Sequence, residues 1–146
     1  MERNIEVRHT KPEDLNAVLT LFAGVSLPQN GVPEHFQHFL VAQEGDQLIG
    51  VIGVEPYGVS ALLRSLAVAL AYRGQGLGRV LVERLLHEAR AQGVEQVFLL
   101  TETAAEFFAK FGFRGIAREE TDGAVQQSVE FQTACCQSAL CMRLHL

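Results

Sequence analysis

The sequence contains no HExxH motif and no paired CxxC, so the ligand spacings of a structural zinc site are missing. Its longest apolar run, around Ala61 to Tyr72, is broken by Arg64 and is too short to span a bilayer. Nothing like a secretory signal follows the charged start "MERNIEVRH", which leads to the expectation of a cytoplasmic protein with no membrane partner. Positive charge is thin: 12 Lys and Arg stand against 17 Asp and Glu, for a net charge of −5. A basic patch with interleaved aromatics is lacking, so nucleic acid is not an expected partner. The mildly acidic body suits a cationic small substrate. Cysteine is scarce as well. Cys135, Cys136 and Cys141 all lie near the end of the sequence, and an odd count argues against a disulfide framework. The five histidines are scattered, and no metal is expected.

What is present suffices for one core. With 146 residues, 48% of them apolar, residues 1–146 are expected to form a single domain. "IEVRH" alternates like a half-buried strand. In "TKPEDLNAVLTLFAG", Thr10 reads as an N-cap with Glu13 closing a capping box, Leu15, Val18, Leu19 and Phe22 share a face, and Gly24 ends the helix. A Pro- and Gly-rich loop follows, with room for one helical turn around Glu34 to His38. "FLVAQEGDQLIGVIGVEPYG" is two strands joined at Gly45-Asp46. "VSALLRSLAVAL" is a strand buried on both faces.

A helix is expected from about Gly76 to Gln92, burying Leu77, Leu81, Val82, Leu85, Leu86 and Ala89 and exposing Arg79, Glu83, His87 and Arg90. "VEQVFLLTE" reads as a buried strand, "TAAEFFAKFGF" as a short helix stopped at Gly112, and "RGIAR" as a strand. "TDGAVQQSVEFQTA" reads as a helix and "SALCMRLHL" as a last strand. The order gives an α/β fold, a mixed sheet with helices on it.

The stretch Arg73-Gly74-Gln75-Gly76-Leu77-Gly78 stands where a strand hands over to a helix. It is not a P-loop, because no Gly-Lys-Ser/Thr follows at the required spacing. It is not a dinucleotide fingerprint either: counted from Gly74 and Gly76, the third glycine would fall at Arg79. Glycines that admit close approach, unpaired N–H groups at a helix start and the flanking Arg73 and Arg79 still describe a phosphate or pyrophosphate cradle.

"LAVALAYRGQGLGRVLVERLL" resembles the signature of the GNAT superfamily of acetyl-CoA-dependent N-acyltransferases, Arg/Gln-x-x-Gly-x-Gly/Ala, with Arg73, Gly76 and Gly78 in place. "AAEFFAKFGF" is similar to the family's second motif, and the likeness covers nearly the whole chain. "ALLRSLAV", "TETAAEFF" and "CCQSALCM" resemble a subgroup associated with arsenic resistance. The resemblance implies a GNAT-type fold with a mixed, mostly antiparallel sheet and acetyl-CoA as cosubstrate. It implies transfer of acetyl to a primary amine of a small molecule, in a monomer or homodimer. Backbone groups of Leu66, Ala67 and Val68 would pair with the pantetheine arm. N–H groups across Gly74, Gln75, Gly76, Leu77 and Gly78, with Arg73 and Arg79, would hold the pyrophosphate. Val68 N–H would meet the oxyanion. Phe108 would line the thioester pocket or simply pack.

The sequence departs from the family at both proton-transfer positions. Leu62 stands where many relatives carry a basic Glu, and Phe108 where many carry a Tyr that protonates the thiolate. Glu55, at the end of the third strand, is the candidate base, directly or through water, with Tyr57 on the same face if the strand continues and Glu102 as a further carboxylate. Arg64 is either a bidentate contact for an acceptor's carboxylate or a surface charge. Cys135 and Cys141 match subgroup positions that would suit a trivalent arsenic centre, or behave as small buried hydrophobes. The alternative to an enzyme is a non-catalytic acyl-CoA-binding or arsenical-sensing module on the same scaffold.

Overall fold

A computed structural model describes residues 5–25, 36–101, 104–121, 123–126 and 139–146, with the backbone alone at 23–25, 118, 124 and 126. Its strands form one seven-stranded sheet in the order β1-β2-β3-β4-β5-β7-β6. The strands are β1 (Ile5–His9), β2 (Leu40–Glu44), β3 (Gln47–Tyr57), β4 (Ser60–Val68), β5 (Gln96–Thr101), β6 (Arg114–Ile116) and β7 (Leu140–His145). The described helices are α1 (Leu15–Val25), α2 (Leu77–Ala91), α3 (Ala105–Ala109) and α4 (Gly123–Gln126). The β4–β5 pairing is parallel and the pairings β1–β2, β2–β3, β5–β7 and β6–β7 are antiparallel, so the sheet is mixed as expected.

Contacts gather the chain into two compact units whose boundaries cut β3 and β4. The first holds the described residues up to Val54 together with Ser65–Glu88; the second holds Glu55–Arg64 together with the described residues from Ala89 on.

In the first unit, Val18 and Phe22 of α1 pack with Phe36, Phe39, Val41, Val51 and Ala67. Helix α2 follows its predicted stripe at Leu77, Leu81, Val82, Leu85 and Ala89, which are buried, but Leu86, expected there too, is only half-buried; Arg79, Glu83, His87 and Arg90 are exposed. Burying a Leu or Val side chain contributes about 1.5–3 kcal/mol, so this stripe fixes the helix on the sheet. Its seat includes Gly50, where a Cβ would come within 3.1 Å of Leu81 Cδ1.

The start of α1 corrects the sequence reading. A 3-10 turn, Pro12–Asp14, precedes the helix with Lys11 as N-cap, and Asp14 rather than Glu13 reaches back, accepting the Lys11 N–H at 2.7 Å. Thr10 is used otherwise: its hydroxyl donates to Phe36 O, tying the end of β1 to the turn Phe36–His38. Asp14 also receives Arg8 Nη1 at 2.8 Å and Nη2 at 3.1 Å. The Arg8 hydrogen bonds, opposed by burial and aided by the Lys11 N–H, hold the Asp14 carboxyl below its ordinary range. The helix continues to Val25, one residue past the expected stop at Gly24.

In the second unit, Leu62, Phe98 and Val125 form the core, with Tyr57 and Ile116 packed on it. Phe108 is buried, with its ring centroid 5.1 Å from Phe107 and 5.7 Å from Phe113, both edge-on. Helix α4 is described over Gly123–Gln126, so the rest of the helix expected from "TDGAVQQSVEFQTA" lies outside the described residues.

Candidate functional site

The apolar stretch that begins at Ser60 is strand only as far as Val68. A 3-10 turn follows at Leu70–Tyr72, and Leu70, read as the end of the strand, is 78% exposed. The turn is held at two points. Tyr72 Oη donates to Glu44 Oε1 at 2.7 Å, and Arg73 Nε donates to the Val68 carbonyl at 3.1 Å. Arg73 thus braces the strand end that precedes the glycine loop.

Gly74 and Gly76 have φ of +77° and +85°, and a Cβ at either would meet nothing within 4 Å. Their backbone is left-handed, which glycine adopts without steric cost. Space is therefore open above both positions. Val80 N–H, bonded to Gly76 O at 3.1 Å, makes the first intrahelical bond of α2, so the N–H groups of Leu77, Gly78 and Arg79 have no acceptor within the helix. Together these features give an open, donor-rich helix start that a pyrophosphate fits. Arg79, at its rim, is exposed and bonds Glu83 at 2.7 Å.

Upstream of the loop, Ser65 has a φ of +62° inside β4. The pair Arg64-Ser65 between two apolar triplets carries no turn signal in the sequence. The parallel register with β5 covers Ser60, Ala61 and Leu62. Leu66, Ala67 and Val68, the residues expected to pair with an extended ligand, lie beyond that register and beyond the kink.

The second unit holds the charged cluster. Strand β3 does continue to Tyr57, so Glu55 and Tyr57 share a face. Tyr57 Oη donates to Glu55 Oε1 at 2.5 Å, and Arg64 Nη1 donates to Glu55 Oε2 at 2.8 Å. The Arg64 and Glu55 side chains are 0% and 1% exposed. Arg64 is therefore not the surface charge that alternation allowed: it is buried and pairs with Glu55 inside the unit. The two-residue turn Gly58–Val59 joins β3 to β4.

Leu62 is fully buried, which suits an apolar side chain. Glu102, the other candidate carboxylate, and Cys135 and Cys136 lie outside the described residues. Cys141 is buried, with its Sγ 3.5 Å from Thr121 Oγ1. Among the described residues no group of three or more His, Cys, Asp or Glu gathers to hold a metal. No helix among them is long and apolar enough to cross a membrane.

Residues 35–115 match the acetyltransferase (GNAT) domain model. The chain belongs to the GNAT acetyltransferase family. This GNAT chain is 33% identical over 121 residues to an uncharacterized N-acetyltransferase of Chlorobaculum tepidum, covering 77% of each protein. It is 39% identical over 121 residues to an amino-acid acetyltransferase of Mycobacterium tuberculosis, covering 75% of this chain and 68% of that one. A Mycobacterium tuberculosis structure in complex with CoA superposes with a TM-score of 0.82 at 26% identity, covering 97% of this chain and 99% of that chain. The protein is an acetyl-CoA-dependent N-acetyltransferase with the GNAT fold, so the enzyme reading prevails over the binding module.

Proposed function

We propose that this acetyltransferase moves the acetyl group of acetyl-CoA onto the primary amine of an amino acid or an amino-acid-like small molecule. The observation that carries the reading is the 39% identity to the amino-acid acetyltransferase of Mycobacterium tuberculosis, over 68% of that protein's length. An amino-bearing arsenical is an amino-acid-like acceptor within this class, and the segments that resemble the arsenic-associated subgroup support testing it.

The assignments follow the site. The backbone of Leu66, Ala67 and Val68 receives the pantetheine arm, as an added strand would be received. The N–H groups from Gly74 to Arg79 hold the pyrophosphate, with Arg79 adding charge at the rim and Arg73 keeping the strand end in place. Val68 N–H is the donor for the developing oxyanion. Glu55 is the carboxylate that takes the amine's proton, and Arg64 balances its charge. Phe108 supplies packing and no proton.

The test is free-thiol release from acetyl-CoA against amino acids, polyamines, aminoglycosides and amino-bearing arsenicals, with CoA binding measured by calorimetry on the same sample. Turnover on amino acids or the arsenicals is the expected result. Turnover confined to polyamines or aminoglycosides would overturn the acceptor class.

A further inference from the structure

The glycine loop is hung between two fixed points, both in the first unit. On one side is Leu77, which opens α2 and is buried. On the other is Tyr72. Of residues 70–76 every one is exposed except Tyr72, which is half-buried. Backbone bonds within this segment are local: Tyr72 N–H donates to Ala69 O at 2.8 Å and Arg73 N–H to Leu70 O at 3.3 Å. Tyr72 Oη instead crosses 28 positions to Glu44 Oε1, at 2.7 Å.

Glu44 is a firm partner. It closes β2, paired with Ile5 of β1 on one side and Gln47 of β3 on the other, so its backbone is held between two strands. Its second oxygen, Oε2, is buried and has no hydrogen-bond partner among the described residues. The carboxylate thus gives up hydration at one oxygen while accepting the phenol at the other. An apolar side chain would pack there without that cost. What the carboxylate supplies is a charged acceptor, stronger than a neutral one, that fixes the Tyr72 hydroxyl.

We propose that Glu44 and Tyr72 are positioning residues for the cosubstrate: Glu44 holds Tyr72, and Tyr72 holds the entry to the glycine loop, so that the loop's N–H groups are set for the pyrophosphate in advance of binding. The inference rests on the reading of residues 74–79 as the pyrophosphate cradle. Both residues act through the backbone that Tyr72 shares with Arg73 and Gly74, not by touching the ligand. Glycine loses more conformational freedom on ordering than any other residue, so a cradle built on Gly74 and Gly76 is loose unless its ends are tied. Binding to an untied loop includes the cost of ordering it, and the tie removes that cost beforehand.

The experiment is calorimetry with CoA on wild type, Tyr72→Phe, Glu44→Leu, Glu44→Gln, Gly76→Ala and the double variant Tyr72→Phe with Glu44→Leu. It needs no acceptor, so it stands whichever amine class turns over. Tyr72→Phe and Glu44→Leu are each expected to weaken CoA about tenfold, the low end for a hydrogen bond to a charged group, at unchanged stoichiometry. The double variant should bind no more weakly than either single one, because both remove the same tie. Glu44→Gln, which keeps an acceptor oxygen, should lie nearer to wild type than Glu44→Leu. In turnover the loss should fall on KM for acetyl-CoA, with kcat kept.

Wild-type affinity in either Tyr72→Phe or Glu44→Leu overturns the inference. So does a fall in stoichiometry at wild-type affinity, the mark of a pair that only keeps the chain folded. Losses that add in the double variant overturn it as well, since the two residues then act separately. Gly76→Ala separates the tie from the cradle: if it weakens CoA while Tyr72→Phe does not, the cradle stands and the tie falls. If wild type does not bind CoA, or Gly76→Ala binds it equally well, the cradle reading falls and the inference with it. Should Glu44→Leu not fold, Tyr72→Phe, which removes one oxygen and keeps the ring, decides the matter with Glu44→Gln beside it.

Discussion

Arg64 reaches across from β4 to Glu55 on β3, Nη1 to Oε2 at 2.8 Å, with both side chains sealed from solvent. A pair this deep has given up its hydration, so either partner alone is worse placed than neither.

Removing Arg64 while keeping Glu55 should therefore be costly. Arg64→Met is expected to lower unfolding stability by about 3–5 kcal/mol, as for other broken buried pairs. The double variant Arg64→Met with Glu55→Leu should recover most of that loss. Urea denaturation of the four proteins completes the cycle. A single variant as stable as wild type would mean that Glu55 finds compensation elsewhere.

The glycines of the loop are not equivalent. Gly76, at φ +85°, should lose about 1–2 kcal/mol as Ala, the cost of a left-handed residue that carries a Cβ. CoA affinity should fall with it, since the N–H groups beside it would turn away. Gly78 lies within the first turn of α2, and the family pattern admits Ala there. Gly78→Ala should keep CoA binding and gain up to about 1 kcal/mol of helix stability. Calorimetry with CoA and thermal melts separate the two, and equal behaviour would contradict the loop geometry.

Ser65 makes the same argument in a strand. At φ +62° it occupies a region that β-branched residues rarely enter. Ser65→Val is expected to cost about 1–2 kcal/mol or more, and Ser65→Gly should be tolerated far better. A valine variant with an unchanged melting temperature would show that β4 straightens at no cost.

The Arg8–Asp14 pair fixes the sign of an acid dependence. Hydrogen bonding from Arg8, offset by burial and supported by the Lys11 N–H, lowers the folded-state pKa of Asp14 below its ordinary 3.8. The folded state therefore favours the charged form. Stability from this group is fully present above the ordinary carboxylate range and is lost as pH falls through the lowered value. Asp14→Asn should melt at lower temperature than wild type at neutral pH, and the gap should close in strong acid. A gap constant from neutral to strongly acidic pH would show that the pair does not carry the effect.

Much of this molecule was legible in the residues. The first strand, the hairpin at Gly45-Asp46 and the buried stripe of α2 followed from periodicity and turn chemistry, which are local properties of the chain. The glycine loop was legible for the same reason, since left-handed backbone and a bare helix start leave a mark in residue type. Capping at α1 was misplaced by one residue. Thr10 and Glu13 fitted the pattern, but Thr10 is taken by a carbonyl at Phe36, and only the fold brings that carbonyl near.

The sequence by itself determined the kind of backbone at Gly74 and Gly76, the strand-to-helix order around them, and so a cradle for a phosphate or pyrophosphate. These are near-neighbour effects, and each is written in consecutive residues. Tertiary structure alone decided what Arg64 does. Alternation along β4 left it either inside, buried or in a cleft, or in solvent, and only the partner strand shows that it is buried against Glu55. Glu55 and Tyr57 needed no such pairing, since two residues apart on β3 they share a face. Charge compensation depends on distance in space, which no pattern along the chain encodes.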